Sequence, residues 1–222
     1  MDRLGGLATE DELRRSLVEY GRICYDRRLV TSNDGNLSAR LDDSRIIITP
    51  AGVCKGRLQV QDLIVVDMQG RVSRQASGRR MSSETPMHLE VYLQRPDIGA
   101  VIHAHPVFAT ALSVADMEFP VDILPEGAML LGEVPTTAFA APATAEDAEA
   151  IRALIQTHDA LLLRQHGTLT CGADLDAAMN ILERVEFVAE VYQRAHSLGN
   201  VQRLAPDTLR RLGKFHERPG EG

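Results

Sequence analysis

Two strand pairs near the start of the chain, each joined by a short polar turn, restrict the fold more than any other feature. Residues 37–49 form the first pair around a turn at 42–43, and residues 63–74 form the second around a turn at 68–70. Strands joined by so few residues must be antiparallel, because a parallel pair needs a crossover of about a dozen residues or more. An all-parallel, doubly wound sheet is therefore excluded.

Apolar periodicity and capping residues predict that helices and further strands follow. The pattern indicates a mixed α/β fold with a central, largely antiparallel sheet flanked by helices. Thr9 and Thr85 are the expected N-caps of two helices, and the proline-rich residues 119–142 are expected to be irregular with one strand-like stretch. The predicted helices cover 9–28, 85–93, 106–114, 144–158 and 174–198, and the predicted buried strands cover 100–102 and 160–163, the latter extended through 168–170.

Length and composition indicate how many domains to expect. The chain has 222 residues, of which 44% are hydrophobic and 25% charged, close to the averages of globular proteins. A mixed α/β chain of this size can keep a single core. We therefore predict one domain over residues 1–222, with 9–200 as its core and 201–222 as a polar C-terminal tail.

Charge and cysteine content exclude several classes of protein. The net charge of -7 and the absence of a long basic stripe argue against a nucleic-acid partner. The longest apolar runs are far too short to span a bilayer, so no membrane segment is expected. The first six residues lack the apolar region of a secretory signal, and the three cysteines form no C-x-x-C pair. A reducing cytoplasm is the expected location.

The scarcity of lysine removes one catalytic mechanism. The chain has only two lysines, Lys55 and Lys214, and the second lies in the polar tail. Schiff-base chemistry would therefore depend on Lys55 alone. If the protein acts on carbonyl compounds, a metal is the expected electrophile.

His103 and His105 form the most informative local motif. Side chains alternate along a strand, so these two imidazoles point in the same direction at the end of a buried strand, close enough to share one ion. The alternative is a pair of exposed or core histidines without a ligand. His166 also follows an apolar strand, and that strand ends in a small-residue turn. A third histidine in the same kind of position favours a metal site over histidines without a ligand. Three neutral imidazoles with an open position are typical of a catalytic zinc site.

Glu84 lies where a loop meets the start of a predicted helix. Its carboxylate could simply interact favourably with the helix dipole or form a cap. Beside a divalent metal it could instead be a fourth ligand or a general base. The preceding Ser82 and Ser83 offer hydroxyl groups, and the helix start offers free backbone N–H groups, which together suit an anion.

Two further loops have the composition of an anion cradle. Residues 34–36 contain a glycine that allows close backbone approach, and residues 49–52 are followed by Lys55. Each loop by itself is equally compatible with an ordinary turn. Because no Walker motif or G-x-G-x-x-G is present, the expected ligand is a small phosphorylated molecule rather than a nucleotide.

These motifs, taken in order, resemble the class II aldolase/adducin family, whose members include fuculose 1-phosphate aldolase and ribulose 5-phosphate 4-epimerase. The match runs from about residue 9 to residue 199. It rests on five motifs, at residues 32–38, 48–52, 82–84, 103–105 and 165–167. The resemblance implies a three-layer α/β/α sandwich and a homotetramer with active sites at its subunit interfaces.

The resemblance also implies a role for each candidate residue. Zinc in the family is held by histidines that match His103, His105 and His166, and the glutamate matching Glu84 serves as ligand, base or both. Fuculose-type aldolases carry glutamate there, whereas epimerase-like members usually carry aspartate. The implied activity is reversible cleavage of a small ketose 1-phosphate into dihydroxyacetone phosphate and an aldehyde through a zinc-stabilised enediolate, with Mn²⁺ or Co²⁺ as alternative cations. The substrate phosphate would be bound by Asn36, Gly52, Ser82 and Ser83.

The proton donor departs from the fuculose-type pattern. A tyrosine from a neighbouring subunit fills this role there, but residues 121–127 contain no tyrosine. Glu126 is the nearest candidate, and it resembles the acid/base of the family's methylthioribulose 1-phosphate dehydratases; a role in a subunit contact is equally open. Epimerase, dehydratase and decarboxylase activities are alternatives on the same metal-enolate chemistry. A noncatalytic, adducin-like binding module is a further alternative, against which the intact set of histidines and Glu84 argues.

Overall fold

The computed structural model describes residues 9–75 and 78–213. Within them, seven strands form one sheet in the order β4-β3-β2-β1-β5-β7-β6, and every neighbouring pair is antiparallel. The predicted antiparallel sheet is confirmed. The strands are β1 (Asn36–Asp42), β2 (Arg45–Ile48), β3 (Ile64–Asp67), β4 (Val72–Arg74), β5 (Ala100–Ala104), β6 (Ala160–Leu163) and β7 (Gly167–Gly172).

Seven helices accompany the sheet in the described part of the chain. The first begins at a capping box, in which Thr9 accepts a hydrogen bond from the backbone N–H of Glu12 and the Glu12 carboxylate accepts one from the backbone of Thr9. Short 3₁₀ turns occur at Lys55–Arg57, Val60–Asp62 and Val121–Ile123. The helices are α1 (Glu10–Asp26), α2 (Thr85–Gln94), α3 (Val107–Val114), α4 (Pro125–Leu130), α5 (Ala145–Arg152), α6 (Leu175–Leu198) and α7 (Pro206–Gly213).

Alternation along the strands divides the core into two faces. On β2, Ile47 packs with the cluster that contains α1 and α6, whereas Ile46 and Ile48 pack with the cluster that contains α2. Ile151 of α5 belongs to the second cluster, so α2 and α5 cover one face of the sheet and α1 and α6 cover the other. This arrangement is the three-layer α/β/α sandwich that the family resemblance implies.

Several local predictions were wrong. Residues 168–170 do not extend the strand at 160–163; they belong to β7, which turns back antiparallel to β6. The turn between them places Gln165 at a φ of 54°, a conformation that no glycine or asparagine announces in the sequence. The helix predicted over 144–158 ends earlier, as α5 at Arg152, and continues into turns.

Other differences concern the irregular segment, the start of α2 and the tail. Residues 119–142 contain α4 instead of a strand, with only an isolated bridge from Thr136 to Leu162. The N-cap of α2 is Glu84, not Thr85, whose hydroxyl donates to the Ser82 carbonyl in the first turn. The predicted polar tail includes α7.

Some predictions lie outside the described residues. These concern the N-terminal residues 1–6 and Lys214. Among the described residues, none of the helices combines the length and the apolar content needed to cross a bilayer.

Candidate metal centre

The centre of the sheet positions the first two histidines. β5 pairs with β1 on one side and with β7 on the other, and His103 lies opposite Asn36 and Leu169. The loop before β1 approaches this strand so closely that a Cβ atom on Gly35 would lie 2.8 Å from the His103 carbonyl oxygen. Gly35 also has a φ of 70°, which glycine adopts at little cost. This position therefore requires glycine on both grounds.

The three predicted histidines come together. His103 lies on β5, His105 directly follows this strand, and His166 lies in the turn between β6 and β7. One nitrogen from each ring lies within 4.8 Å of the other two, and Nε2 of His103 is 3.0 Å from Nε2 of His105. The turn at residues 164–166 thus brings a histidine that is distant in sequence to the end of β5.

The chemistry of this donor set fits a divalent metal. His103 is completely buried, and its Nδ1 donates to the Thr168 carbonyl at 2.9 Å, which leaves Nε2 free to bind an ion. Burial, followed by the charges of His103 and His166, lowers the pKa of His105 to about 3, so this ring is neutral at pH 7 and able to donate a lone pair. No cysteine belongs to the cluster, which favours a catalytic over a structural zinc site.

Glu84 joins the cluster from the start of α2. Its carboxylate makes no capping hydrogen bond to the helix; instead, Oε1 lies 3.3 Å from Nε2 of His103 and 3.3 Å from Nε2 of His166. Burial by itself would raise the pKa of Glu84, but the hydrogen bond and charge of His103, with His166 and Asn36, outweigh burial and hold the pKa well below its usual value. Two ligands of a tetrahedral ion at about 2.0–2.1 Å stand roughly 3.3 Å apart, so this spacing also suits a metal ligand.

Two of the residues predicted to bind phosphate, Asn36 and Ser82, contact Glu84. Bonds between the loop at 50–52 and residues 80–81 hold two of the predicted segments together, through a bridge from Pro50 to Met81 and a 2.9 Å hydrogen bond from the Ala51 N–H to the Arg80 carbonyl. Ser83 and Gly52 are exposed, whereas Ser82 and Asn36 are buried. A Cβ atom on Gly52 would have no neighbour within 4 Å, so open space adjoins this loop.

Asn36 has contacts inside the chain that the sequence did not predict. Its side-chain nitrogen donates to Glu84 Oε2 at 2.6 Å and to Ser82 Oγ at 3.3 Å. Both hydrogens of the amide are thereby used. A phosphate role for Asn36 stays a prediction.

Lys55 lies beneath the two predicted anion loops and is 1% exposed. Its ammonium group donates to the carbonyl oxygens of Asn33 and Val53, each at 3.0 Å, and so connects the loop before β1 to the loop after β2. Burial lowers the pKa of Lys55 to about 8, although Cys54, Asp34 and Glu84 oppose this effect.

Glu126 is placed away from these groups. It lies exposed on the first turn of α4, a helix that packs against α6 and α7. Among the described residues, no hydrogen bond or ion pair connects Glu126 to the histidines or to Glu84. Its role as proton donor or subunit contact stays a prediction.

Sequence reasoning missed His88, one turn after Glu84 on α2. His88 is completely buried, its Nε2 is hydrogen bonded to Asn36 Oδ1, and its Nδ1 lies 2.7 Å from Ser38 Oγ. Burial, followed by the charge of His103, lowers the pKa of His88 to about 3, so the ring is neutral at pH 7. The sequence feature that could have revealed His88 is a polar side chain on the apolar face of a predicted helix.

A cavity of about 840 Å³ lies at the opposite end of β5, near Gly99 and Asp174. It is therefore distinct from the histidine cluster. A small cavity of about 10 Å³ lies beside the cluster and touches His166.

Known proteins are similar to this chain in sequence and fold. Residues 15–193 match the family described as Class II Aldolase and Adducin N-terminal domain. The chain is 34% identical over 180 residues to a 3-oxo-tetronate 4-phosphate decarboxylase of Haemophilus influenzae (79% of this chain, 84% of the relative). It is 33% identical over 178 residues to an L-fuculose phosphate aldolase of Methanococcus vannielii (79% and 94%).

A solved structure of an L-fuculose 1-phosphate aldolase has the same fold. Its TM-score is 0.84 at 30% identity, with 95% of this chain and 98% of that chain covered. The fold described above therefore belongs to a recognised architecture. With its histidine triad intact, this chain belongs to the class II aldolase and adducin family.

Proposed function

We propose that this protein is a zinc-dependent aldolase that reversibly cleaves a small, fuculose 1-phosphate-like ketose 1-phosphate into dihydroxyacetone phosphate and an aldehyde. The observation that carries the proposal is the position of the Glu84 carboxylate, 3.3 Å from the metal-binding nitrogens of His103 and His166. A carboxylate beside a Lewis acid is the pair of groups needed to move a proton next to a carbonyl.

Different residues of the chain would carry out different steps of this reaction. His103, His105 and His166 would hold the cation, which when bound supplies a Lewis acid that polarises the substrate carbonyl. A base removes the proton of the C4 hydroxyl, the C3–C4 bond breaks, and the electron pair of that bond stays on the dihydroxyacetone phosphate fragment until Glu84 returns a proton to C3. In the synthetic direction Glu84 removes the same proton.

Substrate binding would depend on the phosphate group. We assign it to Asn36, Gly52, Ser82 and Ser83. Ser83 and Gly52 are exposed, which supports direct contact with the phosphate. Asn36 and Ser82 are buried and would act through their hydrogen bonds to each other and to Glu84. Holding the phosphate fixes the reacting carbons next to the carboxylate.

Glu126 would exchange the hydroxyl proton at C4, and we propose that it does so in the site of a neighbouring subunit of a homotetramer. The exposure of Glu126 supports this arrangement. Val107 and Val114 on α3, 61% and 58% exposed, provide an apolar surface that begins two residues after His105. A cytoplasmic location belongs to the same proposal and agrees with three cysteines that form no disulfide.

The second candidate activity is decarboxylation, which the 34% identity to a 3-oxo-tetronate 4-phosphate decarboxylase favours. Loss of CO₂ next to a carbonyl also leaves an electron pair that the same centre could accept. Both reactions leave an electron pair on the carbon next to the carbonyl, and this carbon must then receive a proton, so proton exchange there does not distinguish them. They differ in the bond that breaks and in the second product, which is CO₂ for the decarboxylase and an aldehyde for the aldolase.

The deciding experiment measures bound metal and then assays a panel of ketose 1-phosphates and 3-oxo-tetronate 4-phosphate, before and after chelation. We expect a triose phosphate and an aldehyde from a ketose 1-phosphate, with activity lost on chelation and restored by Zn²⁺. The E84Q variant should stop deuterium exchange at C3 of dihydroxyacetone phosphate. Release of CO₂ from 3-oxo-tetronate 4-phosphate without cleavage of any ketose 1-phosphate would reject the aldolase assignment. An epimer or a dehydrated product formed from a ketose 1-phosphate without triose phosphate would also reject it. A purified chain without stoichiometric metal would favour the adducin-like binding module.

A further inference from the structure

A buried row of polar side chains leads away from the metal centre between β1 and α2. Asn36 and Ser38 occupy alternate positions on β1 and so face the same side of the sheet, while Glu84, His88 and Tyr92 repeat every four residues along α2. Two residues of strand advance about 6.6 Å and four residues of helix about 6.0 Å, so the two rows stay in step. Each of the three residues on the helix side therefore lies within hydrogen-bond distance of Asn36 or Ser38.

The hydrogen bonds of this row have one possible direction. An ionised Glu84 can only accept, so the nitrogen of the Asn36 amide faces Glu84 and the oxygen faces His88. His88 must then donate through Nε2, and because the neutral ring has one donor, its Nδ1 accepts from the Ser38 hydroxyl at 2.7 Å. Ser38 in turn accepts from the Tyr92 hydroxyl at 2.9 Å.

Beyond Glu84, the row is completely satisfied and closed to water. His88 and Ser38 are 0% exposed, and Tyr92 is 3% exposed. Among the described residues, the buried side-chain polar atoms that lack a hydrogen-bond partner belong to residues outside this row. The Arg40 guanidinium lies 4.8 Å from the centre of the Tyr92 ring and fixes the far end. A network of this kind holds each member in one orientation, since any flip would leave a buried donor or acceptor unpaired.

We propose that His88 is a positioning residue, which acts through Asn36 to aim the Glu84 carboxylate at the metal centre. His88 contacts none of the three histidines directly. Its Nε2–H fixes which end of the Asn36 amide faces Glu84, and this amide donates the 2.6 Å hydrogen bond that locates Oε2. Oε1 is thereby left pointing at His103 and His166. This inference rests on the role proposed for Glu84.

Two substitutions at His88 separate positioning from packing. Glutamine places its amide nitrogen where Nε2 stands and can still donate to Asn36, whereas asparagine places its nitrogen where Nδ1 stands and cannot. Competition with a chelator measures the Zn²⁺ affinity of wild type, H88Q, H88N, E84Q and the double variant E84Q/H88N. We expect H88N to weaken Zn²⁺ binding about 10- to 100-fold, as for other outer-shell partners, while H88Q stays within a few-fold of wild type.

The double variant tests whether His88 acts through Glu84. If it does, H88N has little further effect once Glu84 is replaced, because the two changes remove one interaction. Equal losses in both backgrounds, equal losses in H88Q and H88N, or an unchanged affinity in H88N would overturn the inference. A wild-type chain that binds no Zn²⁺ would overturn the proposed function and, with it, the inference.

A measurement on the wild-type protein keeps the inference testable even if a variant does not fold. Nitrogen-15 spectra of histidine-labelled protein report which ring nitrogen carries the proton. We expect His88 as the Nε2–H tautomer. A proton on Nδ1 instead would reverse the direction of the row and overturn the inference.

Discussion

The carboxylate of Glu186 accepts a 3.0 Å hydrogen bond from the backbone N–H of Phe108, and a second one, at 2.9 Å, from Ala109. The residue before α3 is Pro106, which makes no side-chain cap. Glu186 of α6 therefore satisfies the free N–H groups of another helix, the one that directly follows His105.

Replacing Glu186 by alanine should destabilise the protein. We expect a loss of about 1–2 kcal/mol in the free energy of unfolding, the range found when a helix cap is removed. E186Q, which keeps one oxygen acceptor, is the matched control and should lose less. Denaturant unfolding of the three proteins measures this difference, and equal stabilities of E186A and wild type would contradict the capping role.

Gly35 and Gly52 offer a matched pair of substitutions. Their φ angles are 70° and 71°, so alanine imposes a similar backbone strain of about 1–2 kcal/mol at either site. Only at Gly35 would the new Cβ collide, at 2.6 Å from Val30 Cγ1 and 2.8 Å from the His103 carbonyl. We expect G35A to lower both thermal stability and Zn²⁺ affinity more than G52A. Similar Zn²⁺ affinities in the two variants would show that the loop does not control the position of β5.

Lys55 should make stability depend on alkaline pH. Burial lowers its pKa to about 8 in the folded protein, from 10.5 in an exposed lysine. Between these values the unfolded chain binds a proton that the folded chain has lost, so the free energy of unfolding rises with pH over this window. K55M lacks this titrating group. The free energy of unfolding of wild type minus that of K55M should therefore increase from pH 8 to pH 10.5. A constant or falling difference would mean that Lys55 keeps its charge in the folded state.

The proposed contribution of Glu126 to a neighbouring site can be tested by mixing subunits. H105A loses a metal ligand and E126Q loses the proposed proton donor, so each homo-oligomer should be inactive or strongly impaired. A hybrid oligomer contains some sites with both groups intact and should regain part of the activity. Light scattering establishes the oligomeric state. Full activity of E126Q alone would exclude Glu126 as the donor.

The metal centre was accessible from the sequence because its signals are local. The alternation of His103 and His105 at the end of an apolar strand, and the same placement of His166, required no knowledge of how the strands pair. The early hairpins in the same way fixed the antiparallel character of the sheet. Both kinds of inference depend on short-range geometry.

The features that were missed depend on distant contacts or on uncommon backbone conformations. β7 went unrecognised as a separate strand because Gln165 takes a positive φ that its residue type does not signal. The role of His88 requires Asn36 and Ser38, about 50 residues away, to lie in register with α2. Glu84, not Thr85, is the N-cap of α2, and its side chain contacts the distant histidines instead of capping the helix. The domain extent, the phosphate residues and the cytoplasmic location stay predictions.

The position of β5 between β1 and β7 also determines when the site can exist during synthesis. β1 begins at Asn36, whereas β7 extends from Gly167 to Gly172 and is synthesised much later. The imidazole of His166 and the carbonyl of Thr168 that orients His103 are added only about 60 residues after His105. A nascent or prematurely terminated polypeptide that stops before His166 therefore presents at most two of the three imidazoles, so a competent centre arises only once the turn into β7 has been synthesised.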